Sequence, residues 1–329
     1  MIALWIILGI LGFIIVAFVI IVLLMRAANY RLIRQIQEFE KENPVTQEQR
    51  RWLAFGAPLA NIHHETLFCF KLKFEKVTRK MMTMEEVQDN FTKKWEISNS
   101  EEACAVLKEL VEMGRDTDFA NEVFAKFILT REDFRKPFKY QEYTNFSITS
   151  DELTDLNGLE KSYETSLAIG KDVAKYYAAQ DGITDEAEIE QMTHKLTMDY
   201  LAARITNSIN SYGTTLNGNV KFEKDAPEML KTVQNFAAFD LGRVAYVARV
   251  CAAFGYLQES EAWEYIKKAA DTASKMYNNW DEYIIAYCVG IALSGTNAED
   301  CRFDARAVYY DFIYDKRNPY QLRDISFKI

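Results

Sequence analysis

No charged residue precedes Arg26, and the chain has no Cys-x-x-Cys pair, no Gly-Lys-Ser/Thr, no Gly-x-Ser-x-Gly and only three histidines. Each absence removes a class of function. The five cysteines, Cys69, Cys104, Cys251, Cys288 and Cys301, are odd in number and widely spaced, which argues against a disulfide framework or a zinc knuckle. Gly213-Thr-Thr-Leu-Asn-Gly218 lacks the Lys-Ser/Thr that meets phosphate and magnesium, so it reads as a turn-rich loop. A hydrolase triad would have to be assembled without any local signature. Glu190 and His194 lie four apart, and His63-His64-Glu65 offers further donors, but no second matched pair completes a di-metal bundle. The net charge of −9 lies wholly after residue 25 and excludes general nucleic-acid binding through phosphate neutralisation. No cofactor or metal is expected, and the catalytic residues, if there are any, are unknown.

What is present begins with an apolar run from Ile2 to Met25, followed closely by Arg26, Arg31 and Arg34. About 24 helical residues rise roughly 36 Å, enough to cross a hydrocarbon core of about 30 Å. The run lacks the basic leader and small-residue cleavage site of a signal peptide, so it predicts a retained single-pass anchor in the lipid bilayer. Basic residues behind the run place the C-terminal body in the cytoplasm. Residues 26–45 are charged, with Ile33, Ile36 and Phe39 at helical spacing, and form a helical stalk or linker ending at Asn43-Pro44. Lys71, Lys73, Lys76, Arg79 and Lys80 form one basic stretch, read as a solvated helix face ahead of a membrane-facing patch.

Beyond the stalk the pattern is helical, without sustained alternation or a fixed repeat, and the class is all-α. Thr83 with Glu86 and Ser98 with Glu101 fit capping boxes, and the second helix runs to Gly114. Leu153, Leu156, Tyr163, Leu167, Gly170, Ala174 and Tyr177 predict a long helix from Ser150 to the break at Asp181-Gly182. Ile189, Met192, Leu196, Tyr200 and Ala203 predict its antiparallel partner. Residues 212–224 form the loop excursion. Asp225 to Glu228 starts a helix whose face runs from Leu230 through Leu241 and Val244 to Cys251 and ends at Gly255. Further starts fall near Glu259 and at Asn279, and residues 304–315 look helical.

Asp240-Leu-Gly-Arg243 is the constellation with most chemistry in it. Opposite charges three apart on a helix are neighbours, here beside an apolar stripe, with Gly242 permitting close approach of another helix. The pair either fixes a helix crossing or leaves Arg243 to fork onto an anion. Trp263, Trp280, Tyr283 and Tyr287 coincide with helix stripes and read as core.

The Asp240-Leu-Gly-Arg243 box, Gly255-Tyr256-Leu257, Glu261-Ala-Trp263, and Trp280 with Tyr283, Tyr287 and Gly290 resemble the bacterial family called domain of unknown function 1266. Trp95-Glu-Ile97 and the helix ending at Gly114-Arg115 resemble its other recognisable piece. Phe239 stands where tryptophan is expected, and Ile291-Ala292 follows Gly290 in place of an aromatic-ended motif. The resemblance implies a helical bacterial domain and brings no reaction with it.

The expectation is a transmembrane helix over 1–25, a stalk over 26–45 and a helical domain over 46–329, family-like over about 95–290. The leading functional reading is a non-enzymatic protein-interaction module with an unidentified protein partner, on the cytoplasmic face of a bacterial inner membrane. One alternative is a small-ligand protein or enzyme with its pocket near Asp240, Arg243 and Trp280; another is an interbacterial effector or immunity component. Asp240, Arg243, Gly255, Trp263, Trp280 and Tyr283 are the candidate functional or structural cluster.

Overall fold

The structure is a computed structural model that describes residues 13, 16–18, 20–21, 31–114, 116–130, 145–216, 230, 233, 235–294, 298–315 and 322–329. Among these residues every regular element is helical. The expected membrane helix falls largely outside them. At the positions of that run that are described the chain is helical, and Phe13, Val16, Phe18, Ile20 and Ile21 are exposed. Among the described residues no helix is long and apolar enough to cross a membrane.

Residues 31–42 are helical. This segment, expected as a stalk, is docked: Leu32 and Ile36 are buried in the core, and Glu40 accepts N–H groups from Leu67 at 2.6 Å and Phe68 at 3.0 Å. Helix α1 (Gln47–Ile62) follows, capped by Thr46 with Gln49 reaching back. Then come α2 (Glu75–Thr78), α3 (Met84–Trp95), α4 (Ser100–Val111) and α5 (Thr117–Val123), the last running on as a π-helical turn to Leu129. Next are the long pair α6 (Glu160–Asp181) and α7 (Glu186–Leu216), and then α8 (Ala238–Ala253), α9 (Glu259–Met276), α10 (Trp280–Leu293) and α11 (Ala298–Tyr309).

The core sits around α8, which packs on α1, α4, α9 and α10. Nearly all of α8 and α10 is buried. Two glycines mark close crossings of α8 with its neighbours. A Cβ at Gly56 of α1 would lie 2.3 Å from Ala245 Cβ, and one at Gly242 of α8 would lie 2.6 Å from the Tyr287 ring of α10. Helix-to-helix approach at these points therefore requires a missing side chain.

Local chemistry explains most helix ends. Thr83 and Glu86 form the expected capping box. At α4 the box is shifted by one residue. Asn99, not Ser98, is the cap and accepts the Glu102 N–H at 3.0 Å, while Glu102, not Glu101, takes the N–H and hydroxyl of Ser98. The left-handed residue closing α4 is Met113 (φ 61°) and not Gly114.

Three helical expectations are corrected. α6 begins at Glu160, not near Ser150, because turns around Asp155 and Gly158 (φ 76°) hold the chain until Leu159. Its buried face runs through Ser162, Ser166, Gly170, Ala174 and Ala178, while Tyr177 is exposed. Small residues win that seam because α7 comes too close for large ones: a Cβ on Gly170 would meet Thr197 Oγ1 at 2.2 Å. α7 stays helical to Leu216, so the start of the predicted 212–224 loop is helix with Tyr212 buried; residues 217–224 and the expected start at Asp225–Glu228 lie outside the described residues.

The predicted helix through Leu230 to Cys251 is broken at 235–237. Asn121 takes the N–H of Phe236, and the Tyr277 hydroxyl takes that of Ala238 while bonding to Asn235, so α8 starts afresh at Ala238.

Candidate functional site

The Asp240/Arg243 pair is real and is part of a larger cluster. The Asp240 side chain is fully buried. One of its oxygens accepts the backbone N–H of Asp116 (3.1 Å) and of Thr117 (3.0 Å) and the Thr117 hydroxyl (2.7 Å). The other accepts from Arg243. Asp240 thus supplies from α8 the acceptor that α5 lacks at its own start, where Asp116 makes no side-chain cap.

Arg243 also donates to Asp116 at 2.7 Å, and Asp116 is in turn bridged by Arg204 of α7 at 3.3 Å. The Arg243 guanidinium lies 4.0 Å from the centre of the Phe239 ring and 5.7 Å from that of Trp95; Arg204 lies 3.8 Å over Phe119. Burial works against the Arg243 charge, but Asp116 and then Asp240 outweigh it and raise its pKa above the ordinary guanidinium value. An anionic ligand would have to compete with two carboxylates for a side chain that is 9% exposed. Four charges from three segments tie α5, α7 and α8 together.

Of the remaining candidates, Trp280 and Tyr283 adjoin each other, with ring centres 6.0 Å apart and Phe55 and Phe327 as shared neighbours. Trp280 donates to the Ile325 carbonyl and packs on Phe55 and Phe327. Tyr283 donates to the Phe55 carbonyl at 2.6 Å and packs edge-on to Phe55 and Tyr277. Trp263 packs on Trp52 and Phe70. Gly255 ends α8 with φ 77°, a conformation glycine adopts at no steric cost. Arg243 faces Phe239 and Trp95 whereas Trp280 faces Phe55 and Phe327, and the open space at the charged cluster is a cavity of about 520 Å³ lined by Asp116, Arg204 and Tyr200, with Trp280 not among its lining.

A second open site lies elsewhere on α8. A cavity of about 270 Å³ lies between the end of α1, α2, α3 and α8, bordered by His63, Lys76, Val87, Phe91, Lys94 and Tyr246. His63 stacks on Tyr246 with ring centres 4.6 Å apart. Its Nε2 is closed off from solvent and meets no hydrogen-bond partner among the described residues. Burial, reinforced by Lys94 and Lys76, lowers the His63 pKa to about 3, so the ring is neutral at pH 7.

The wall of this cavity is fixed by buried polar groups. Glu65 accepts N–H groups from Lys73, Phe74 and Glu75. Arg249, fully buried, donates to the carbonyls of Thr66 and Phe70 at 2.9 Å. His63 and Glu65 entered the sequence reading only as possible metal donors. Here Glu65 is taken up by backbone amides, and Glu190 and His194 are exposed on α7. Among the described residues no group of three His, Cys, Asp or Glu side chains could hold a metal ion. Asp116, Thr117 and Arg204 carry no local sequence signal, because they meet Asp240 and Arg243 only through the tertiary fold.

The chain matches no curated protein and no solved structure. The family described as protein of unknown function DUF1266 matches residues 90–325, which take in α4 to α11 and every member of the charged cluster. With most of its length inside that match, the chain belongs to the DUF1266 family.

Proposed function

We propose that this protein is a membrane-held binding module of a bacterial inner membrane, with its helical body on the cytoplasmic side and a protein as its partner. The reading rests most heavily on the α6–α7 hairpin. α6, 22 residues and about 33 Å long, packs only on α7 and α5 among the larger contacts, whereas α7 is also packed on α10 and α11. On the solvent side of this pair Tyr176, Tyr177 and Tyr200 are exposed. Exposed tyrosines on a rigid helical surface suit protein recognition, because they supply large contact area at little entropic cost.

The anchor is supported by the uncharged run Ile2–Met25 and by the exposure of its described apolar side chains. Docking of residues 31–42 onto the body leaves little free linker, so the body would be held close to the bilayer. The alternative of a small-ligand protein or enzyme draws no support from the Asp240/Arg243 cluster, whose carboxylates are already engaged. What support it has lies at the His63 cavity.

The test is affinity capture of the full-length protein after in-cell cross-linking in alkali-washed membranes, alongside a Tyr176→Ser/Tyr177→Ser variant of equal thermal stability. A stoichiometric partner kept by the parent and lost by the variant supports the reading. Release of the parent by alkali refutes the anchor, and a partner retained equally by both refutes the hairpin as the binding surface.

A further inference from the structure

The cavity beside α8 has three features that a merely unfilled gap would lack. Three of the polar side chains in its lining are not used up. Lys76 and Lys94 stand at its border, and neither ammonium is paired with a carboxylate among the described residues. His63 presents a neutral imidazole whose buried Nε2 has no partner. Apart from Glu65 and Asn90, the rest of the lining is apolar or aromatic, with Val87, Phe91 and Val250 among it.

The charge balance chooses the ligand class. Two unpaired ammoniums favour an anion, and a neutral imidazole can donate one N–H to that anion without adding repulsion. The single carboxylate in the lining, Glu65, has its charge met by three backbone N–H groups and by Arg249. Apolar walls call for an apolar body, since inorganic phosphate or sulfate would leave them unfilled. A volume of about 270 Å³ is just below the usual range of roughly 300–1,000 Å³ for small-molecule sites, which limits the ligand to a small one. The walls are also held in place: Glu65 folds the 65–75 segment onto itself, and Glu40 and Arg249 tie that segment to residues 31–42 and to α8.

We infer that the His63 cavity binds a small organic anion, an apolar body bearing one carboxylate, with Lys94 and Lys76 meeting the carboxylate and Phe91, Val87 and Val250 enclosing the body. This site shares no residue with the α6–α7 hairpin, so it stands or falls independently of the protein-partner reading.

Phenylacetate is the probe, titrated calorimetrically into full-length protein in phospholipid nanodiscs, with 2-phenylethanol, phenethylamine and inorganic phosphate as comparisons. Phenylacetate should saturate one site with a Kd at or below about 1 mM, within reach of a ligand of that size. The alcohol and the amine should bind at least about tenfold more weakly, and phosphate should not saturate. Lys94→Gln should weaken phenylacetate about tenfold, as expected for a lost charge-assisted contact. Val87→Trp, which fills the lumen from α3, should remove binding while the thermal transition stays in place. Failure of phenylacetate to saturate overturns the assignment. So does equal binding of the amine or phosphate, or an affinity that both variants leave unchanged.

Discussion

The Asp240/Arg243 cluster and the His63 cavity both border α8, and Trp95 touches both, lying 5.7 Å from the Arg243 guanidinium and lining the cavity. They differ in what their polar groups still have to give. Asp240 spends its two oxygens on four donors inside the protein, whereas Lys76, Lys94 and His63 Nε2 spend nothing on the described residues. The first arrangement fixes how α5, α7 and α8 meet. The second leaves a shaped, positively bordered space. A sequence motif rich in charge can therefore be structural, while the chemistry available to a ligand comes from residues that look unremarkable one at a time.

The largest effect that this contrast predicts is at Arg243. Arg243→Ala leaves Asp240 fully buried with its countercharge removed, and Asp116 loses a partner as well. A loss of about 3–5 kcal/mol in denaturant unfolding is expected for breaking a buried pair. A loss under about 1 kcal/mol would mean that the cluster is hydrated and open, and the distinction between the two regions would fail. Gly242→Ala comes next. Its new methyl would fall 2.6 Å from the Tyr287 ring and 2.9 Å from the Tyr283 hydroxyl, so α8 and α10 must separate, at a cost of about 1–3 kcal/mol.

How much of this was legible in the sequence depends on how far apart the partners lie. Caps are local, so Thr83 with Glu86 and Asn279 with Glu282 could be read directly; Ser98 with Glu101 slipped by one because Asn99 is itself a good cap. Asp240 and Arg243 were legible as neighbours three apart, but Asp116 and Arg204 reach them from other helices. The break at 235–237 is held by Asn121 and Tyr277, which no window around it contains. On α6 the eye follows large residues such as Tyr177, while the contact with α7 selects for the smallest ones. The cavity was least legible of all: His63, Lys76 and Lys94 sit on three elements, and only the fold brings them to one opening.

Acid sharpens the comparison on the cavity side. His63 has a pKa of about 3 when folded and an ordinary value near 6.5 when unfolded. Between those values the unfolded chain holds a proton that the native state refuses, so stability is full above about pH 6.5 and falls as pH drops. Each unit below 6.5 costs about 1.4 kcal/mol, or roughly 2 kcal/mol by pH 5. Glu40, Glu65 and Asp311, raised by burial, act in the opposite direction over part of the same range. The quantity to measure is therefore the difference in urea unfolding between parent and His63→Phe at pH 7 and pH 5. A pH-independent difference would mean that the native ring takes up its second proton as readily as the unfolded chain does, and that solvent reaches it.

Lys94 gives the smallest expected change in stability and the cleanest separation of the two regions. Its side chain is exposed at the end of α3, it pairs with no carboxylate among the described residues, and its charge disfavours protonation of His63. Lys94→Gln should alter unfolding free energy by no more than about 0.5 kcal/mol at pH 7, and slightly relieve the acid sensitivity caused by His63. A charge whose removal costs the fold nothing, beside a cavity whose walls are rigidly held, is free to act on something outside the chain. A loss comparable to that of Arg243→Ala would instead show Lys94 to be one more internal tie, and the two sides of α8 would then be alike.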